Sequence, residues 1–230
     1  MSEKQILEKQ DFIFKAMPLF FVAMTLRPLT TSVGPVLPEI REDFGLSATA
    51  GSLLSTLPIL MFGLGALLVP RLLHRVSPNK AVTLSLLALA IGGNLRLLPF
   101  VVVLYLGTII IGLGVAVGNI VPSLITRRDF PTRIGGVMGM VAGAISFSAA
   151  VAALITYPLA TQLGSWREAL AVWAILPLLV FIIWQLYRNP NTKDEPLSTP
   201  HNMKALLRNP LAWSLTFYFG FQSINFHSMN

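Results

Sequence analysis

Apolar residues fall in long runs along this chain, divided by short joints rich in charge, proline or glycine. The runs read as Ala16–Leu37, Ala48–Val69, Ala81–Leu98, Phe100–Thr126, Ile134–Tyr157, Ala169–Tyr187 and Leu211–Met229. Each approaches the roughly 20 residues with which a helix crosses a bilayer. The alternating segments of about ten residues that mark a membrane β-barrel are absent. The pattern predicts an all-α, polytopic membrane bundle. Its least marked boundary is the tight joint at Pro99.

Composition agrees: the 230 residues are 54% hydrophobic and 12% charged, with a mean hydropathy of +0.69. With no cysteine, disulfides, thiolate chemistry and cysteine-ligated metals are excluded. A net charge of +7 raises nucleic acid as a partner, but the placement of the charges argues against it. If the N-terminus is cytoplasmic, inside segments hold thirteen cations: Lys4, Lys9, Lys15, Arg71, Arg75, Lys80, Arg127, Arg128, Arg133, Arg188, Lys193, Lys204 and Arg208. Outside segments hold Arg41 and Arg167. That bias predicts an inward N-terminus and the lipid bilayer as partner. Three lysines ahead of an apolar run also suit a signal peptide, but the small-residue cleavage pattern is missing, so the first helix is expected to stay.

Two passages resemble each other. Gly34-Pro35-Val36-Leu37-Pro38 precedes Asp43-Phe44, and Gly118-Asn119-Ile120-Val121-Pro122 precedes Asp129-Phe130. Three spans separate the copies, an odd number, so the second would enter the membrane inverted. Inverted repeats are characteristic of secondary transporters, with substrate bound near the midplane. Chance is the alternative, because Gly and Pro are common in membrane helices. From Arg188 to Asn209 the chain turns polar. The expected organisation is a six-helix bundle over 1–187, a cytoplasmic linker over 188–209 and the first helix of a second bundle over 210–230. That is the layout of half a twelve-helix transporter, from a truncated frame or a split protein whose other half would be a partner.

Arg27 is the most expensive residue in the pattern. It lies near the centre of the first run, which holds no Asp or Glu. A cation at that depth costs about 2.5–3.5 kcal/mol on insertion scales. Helical spacing puts Phe20, Arg27, Thr31, Gly34 and Pro38 on one stripe. Gly34, Pro35 and Pro38 are expected to break the hydrogen-bond ladder, which is tolerated only against protein or a water-filled cavity. Arg27 is therefore a candidate anchor for an anionic or strongly hydrogen-bonding substrate. The competing reading is a structural arginine that caps carbonyls or pairs with a carboxylate elsewhere.

Around it stand lesser candidates. Thr31 and Asn119 would support Arg27, and Gly34, Pro35, Pro122 and Ser123 would shape the pathway. Pro122 removes a hydrogen bond and frees the Gly118 carbonyl. Arg96, near the outer end of the third run, is expected to snorkel to the interface; the lesser reading is a gating role that draws anions inward. Gly107, Gly112, Gly114 and Gly118, and separately Gly135, Gly139 and Gly143, are expected to let helices pack closely. Gln222, Asn225 and His227 offer a weak candidate for a proton relay. No metal, cofactor or catalytic constellation is found, since HExxH, GxSxG, Walker and GxGxxG patterns are missing in the context they need.

Leu26-Arg27-Pro28 with Thr31-Ser32-Val33-Gly34-Pro35, then Gly118-Asn119-Ile120-Val121-Pro122 leading into Arg127-Arg128-Asp129-Phe130-Pro131, then Arg208-Asn209-Pro210-Leu211-Ala212-Trp213, together resemble the cyanate and 2-nitroimidazole transporter family. That family is a bacterial branch of the major facilitator superfamily. The resemblance implies twelve helices in two bundles, the first and fourth lining the pathway, and this chain matches one bundle and the next helix. It departs from the superfamily's usual signatures at His74, where an acid is common, and at Thr108, where an arginine is common. The function expected is secondary transport of a small anion or polar heterocycle by alternating access. The alternatives are a non-transporting membrane fragment and, less favoured for want of an acid/base cluster, a membrane enzyme.

Overall fold

The computed structural model describes residues 3–187 and 194–196, together with Pro210, Trp213, Ser214 and Phe217. Two units make up the chain, Met1–Pro196 and Leu197–Asn230. The seventh run and its Gln222, Asn225 and His227 lie almost wholly outside the described residues.

The described residues of the first unit form helices and connecting turns. The first run is not one rod but α1 (Glu3–Thr25), α2 (Pro28–Thr31), a 3-10 turn (Gly34–Val36) and α3 (Leu37–Phe44). Next come α4 (Ala48–Leu73), α5 (Pro78–Leu95), α6 (Val101–Asp129), α7 (Ile134–Leu163) and α8 (Trp166–Tyr187). Among the described residues five stretches are long and apolar enough to cross a membrane: Lys15–Phe44, Ala48–Gly65, Val101–Asp129, Ile134–Leu163 and Trp166–Tyr187. Helix α5 is not in that set; it packs against α6 and α8, and its buried residues include Asn79 and Ser85.

Local signals account for the ends. Ser47 caps α4 by accepting from the Ala50 amide at 3.2 Å. Gly45 and Gly164 end α3 and α7 at φ +60° and +75°, a region L side chains avoid. Paired polar groups stitch the helices: Ser85 Oγ donates to the Gly114 carbonyl at 2.7 Å, Tyr105 Oη to the Ala50 carbonyl at 2.6 Å, and Trp173 Nε1 to Thr156 Oγ1 at 2.9 Å. Among the described residues two apolar clusters stand in the interior. One gathers Val33, Val36, Ile40, Leu54, Leu104 and Trp166; the other gathers Leu26, Leu29, Leu89, Ile111, Val115 and Ala174.

The two glycine series part company. A Cβ built on Gly107, Gly112, Gly114 or Gly118 would meet atoms of a neighbouring helix between 2.3 and 3.2 Å, so these glycines pack as expected. At Gly135, Gly139 and Gly143 nothing lies within 4 Å, which corrects the packing expectation for α7 within this bundle. Gly139→Ala and Gly143→Ala should leave the thermal stability of the 230-residue chain unchanged or raised, by up to about 0.5–1 kcal/mol each from helix propensity. A clear loss on thermal unfolding in detergent would mean that face is already occupied.

Candidate functional site

The site is built at the interruption of the first span. Pro28 has no N–H to donate and its ring crowds the carbonyl four residues back, so α1 stops at Thr25 and a new short helix starts at Pro28. The sequence reading placed the break further on, at Gly34, Pro35 and Pro38. The chain breaks there too, with a 3-10 turn at Gly34–Val36, but Pro28 opens the first gap. Leu26-Arg27-Pro28 carried that signal.

Arg27 is the N-cap of α2 and its side chain is exposed. Its carbonyl accepts from the amides of Thr30 and Thr31, both at 2.9 Å, and from their hydroxyls at 2.8 and 3.0 Å. Among the described residues its guanidinium makes neither an ion pair nor a hydrogen bond, so within this bundle it caps no carbonyl. Leu26 and Leu29, on either side, are buried. Phe20 and Thr31 are half-buried, and Gly34 and Pro38 are exposed like Arg27.

Helix α6 meets this segment at Gly118: Leu26 packs so tightly on it that a Cβ there would lie 2.3 Å from Leu26 Cδ2. Asn119 is the next residue of α6. Asn119 is half-buried and its Nδ2 donates to the Val115 carbonyl at 2.8 Å. Thr31 likewise spends its proton within its own turn, on the Arg27 carbonyl at 3.0 Å, with the Ala149 carbonyl of α7 at 3.5 Å. Both side chains keep acceptor lone pairs while Arg27 keeps only donors. Ser123 is half-buried and donates to the Ile120 carbonyl at 2.7 Å; Pro122 is buried and α6 runs through it unbroken. Gly34 is exposed and Pro35 half-buried.

Arg96 overturns its expectation. It does not snorkel: it is the C-cap of α5 and only 2% exposed. Its Nη1 donates to the Leu29 carbonyl at 2.5 Å and its Nε to Thr108 Oγ1 at 3.1 Å. Thr108 stands where the resemblance expected an arginine, and here it accepts from one supplied by α5. Sequence position showed a cation near a helix end, not the carbonyl it would meet. Leu29, whose carbonyl makes that contact, was not singled out by sequence.

A family model described as the Major Facilitator Superfamily matches residues 19–229. The chain belongs to the major facilitator superfamily. Among curated relatives it is 35% identical over 214 residues to YycB, named an uncharacterised transporter, of Bacillus subtilis, covering 91% of this chain and 52% of that one. It is 30% identical over 210 residues to the 2-nitroimidazole transporter of Escherichia coli, covering 91% and 53%. To the cyanate transport protein CynX of Escherichia coli it is 35% identical over 206 residues, covering 88% and 53%. The chain thus spans about half the length of these relatives. A solved structure of a peptide transporter, POT, matches its fold with TM-score 0.59 at 16% identity, over 91% of this chain and 45% of the other. The all-helical bundle is therefore one bundle of a major facilitator fold and a multi-pass membrane protein, and it resembles the cyanate and 2-nitroimidazole transporters within that superfamily.

Proposed function

We propose that this chain is the first half of a secondary transporter that moves a small anion or polar heterocycle by alternating access. It would sit in a bacterial inner membrane with its N-terminus cytoplasmic, as the placement of Lys and Arg favours. The observation that carries the reading is Arg27: a guanidinium exposed at a helix break, with no partner among the described residues. A fixed charge in an apolar span is retained where it meets substrate or water. Arg27 binds the ligand through its fork of donors, and Thr31 and Asn119 offer acceptors to a ring N–H. Gly34 and Pro35 shape the pathway on the first span, Pro122 and Ser123 on α6. Names of relatives support the two substrate classes, cyanate for the anion and 2-nitroimidazole for the heterocycle.

Uptake of radiolabelled cyanate and of 2-nitroimidazole by cells expressing the full-length transporter tests the reading. Saturable accumulation of either, inhibited by the other, is the expected result. No accumulation of either above the empty vector sinks both substrate classes. The second reading, that the 230-residue product is a non-transporting fragment, predicts no uptake by this chain alone and no gain when a second half is co-expressed.

A further inference from the structure

We propose that Arg96 is the positioning residue for Arg27: it holds the broken segment of the first span through the Leu29 carbonyl and so fixes where Arg27 is presented. This rests on the reading of Arg27 as substrate anchor.

The segment Pro28–Thr31 is a single helical turn with an interruption on each side, so its own hydrogen bonds cannot set its direction. Its outside attachments must. On the α1 side, Leu26 is wedged against Gly118. On the α5 side, Leu29 Cδ2 lies 3.2 Å from where a Gly93 Cβ would stand, and the Leu29 carbonyl takes the Arg96 Nη1 hydrogen bond at 2.5 Å. Leu29 is two residues beyond Arg27, whose carbonyl is bonded into the same turn. Fixing one end of so short an element fixes the other.

The choice of arginine for this contact is informative. Arg96 is buried, carries a full charge and makes no ion pair among the described residues. Burying an ion without a counter-charge is destabilising, and an apolar side chain of similar volume would fill the space more cheaply. What an apolar residue cannot do is bridge two elements. The Arg96 fork reaches the Leu29 carbonyl and Thr108 Oγ1 together, while Thr108 passes its own proton to the Leu104 carbonyl at 2.8 Å. The stem is accommodated because Gly107 has no side chain: a Cβ there would lie 3.2 Å from Arg96 Cγ. Among the described residues the third nitrogen, Nη2, is buried without a partner, and the Leu29 carbonyl and Thr108 Oγ1 take the other two. Arg96 acts on the pathway at one remove, without lining it.

The test is a double-mutant cycle read by equilibrium binding of radiolabelled cyanate, as small-anion probe, to the full-length transporter in nanodiscs. Thermal unfolding is recorded for each variant. Arg96→Gln should weaken binding roughly 10-fold, within the coupling range of residues in one network. Arg96→Lys should recover part of that, and Thr108→Val should weaken binding less than Arg96→Gln because Leu29 stays held. In an Arg27→Ala background Arg96→Gln should add no further loss. Equal losses in both backgrounds, or wild-type binding by Arg96→Gln, overturn the positioning role while leaving Arg27 as anchor. Wild-type binding by Arg27→Ala alone removes the anchor instead. Should Arg96→Gln fail to fold, Arg96→Lys and Thr108→Val carry the cycle, and additivity in both would overturn the role.

Discussion

Arg27→Ala should lower substrate binding and uptake by the full-length transporter about 10- to 100-fold. A hydrogen bond to a charged group contributes about 1.5–3 kcal/mol, and each 1.36 kcal/mol is a factor of ten. The loss should appear in affinity more than in protein level. Among the described residues the Arg27 guanidinium makes no hydrogen bond or ion pair, so its removal leaves none of their buried polar atoms unpaired. Arg27→Lys keeps the charge and loses the planar fork. Near-complete recovery by Lys would assign the role to charge alone; recovery of less than half the lost affinity would assign it to the bidentate geometry. Unchanged uptake in both variants would remove Arg27 from the binding role.

Gly107→Val should abolish the folded bundle or lower its stability by more than about 2 kcal/mol. Gly92 and Gly107 face each other across α5 and α6. A Cβ on Gly107 would lie 2.6 Å from the Gly92 carbonyl oxygen, and one on Gly92 would lie 2.7 Å from that of Gly107. Backbone atoms on both sides cannot yield as a flexible side chain can. Overpacking costs about 1–3 kcal/mol, and rigid neighbours place this site at the upper end. The same substitution presses on Arg96 Cγ and so would also disturb the hold on Leu29. Thermal unfolding and size-exclusion profiles of Gly107→Val beside Gly143→Val check it. Stability of Gly107→Val equal to that of wild type would contradict the close helix contact.

How far the sequence revealed this architecture depended on whether a signal was local. Apolar runs of membrane length are local, and the described passes lie where the runs predicted them. Helix α5 falls outside the set apolar enough to cross a membrane, and it buries Asn79 and Ser85 against protein. Periodicity puts Arg27, Thr31 and Gly34 on one stripe, and each is at least partly exposed. The break at Pro28 is written in the absent N–H of proline, upstream of the denser Gly-Pro cluster. Arg96 was not legible. Its distance from the nearest helix end is written in the sequence, and the Leu29 carbonyl that captures it is contributed 67 residues away. The glycines make the same point: Gly107, Gly112, Gly114 and Gly118 recur much as Gly135, Gly139 and Gly143 do, yet only the first series meets a neighbouring helix in this bundle. Spacing identifies a face, and tertiary packing decides what the face touches.

The central claim is that the Arg27 side chain faces water inside the membrane. This chain has no native cysteine, so in a full-length transporter freed of other thiols a single Arg27→Cys can be probed with a charged, water-soluble thiol reagent. Ala23→Cys, fully buried one turn earlier on α1, is the inaccessible control. Rapid labelling at position 27, slowed by substrate, with position 23 unreactive, is the predicted result. Protection of position 27 equal to that of position 23 would contradict it.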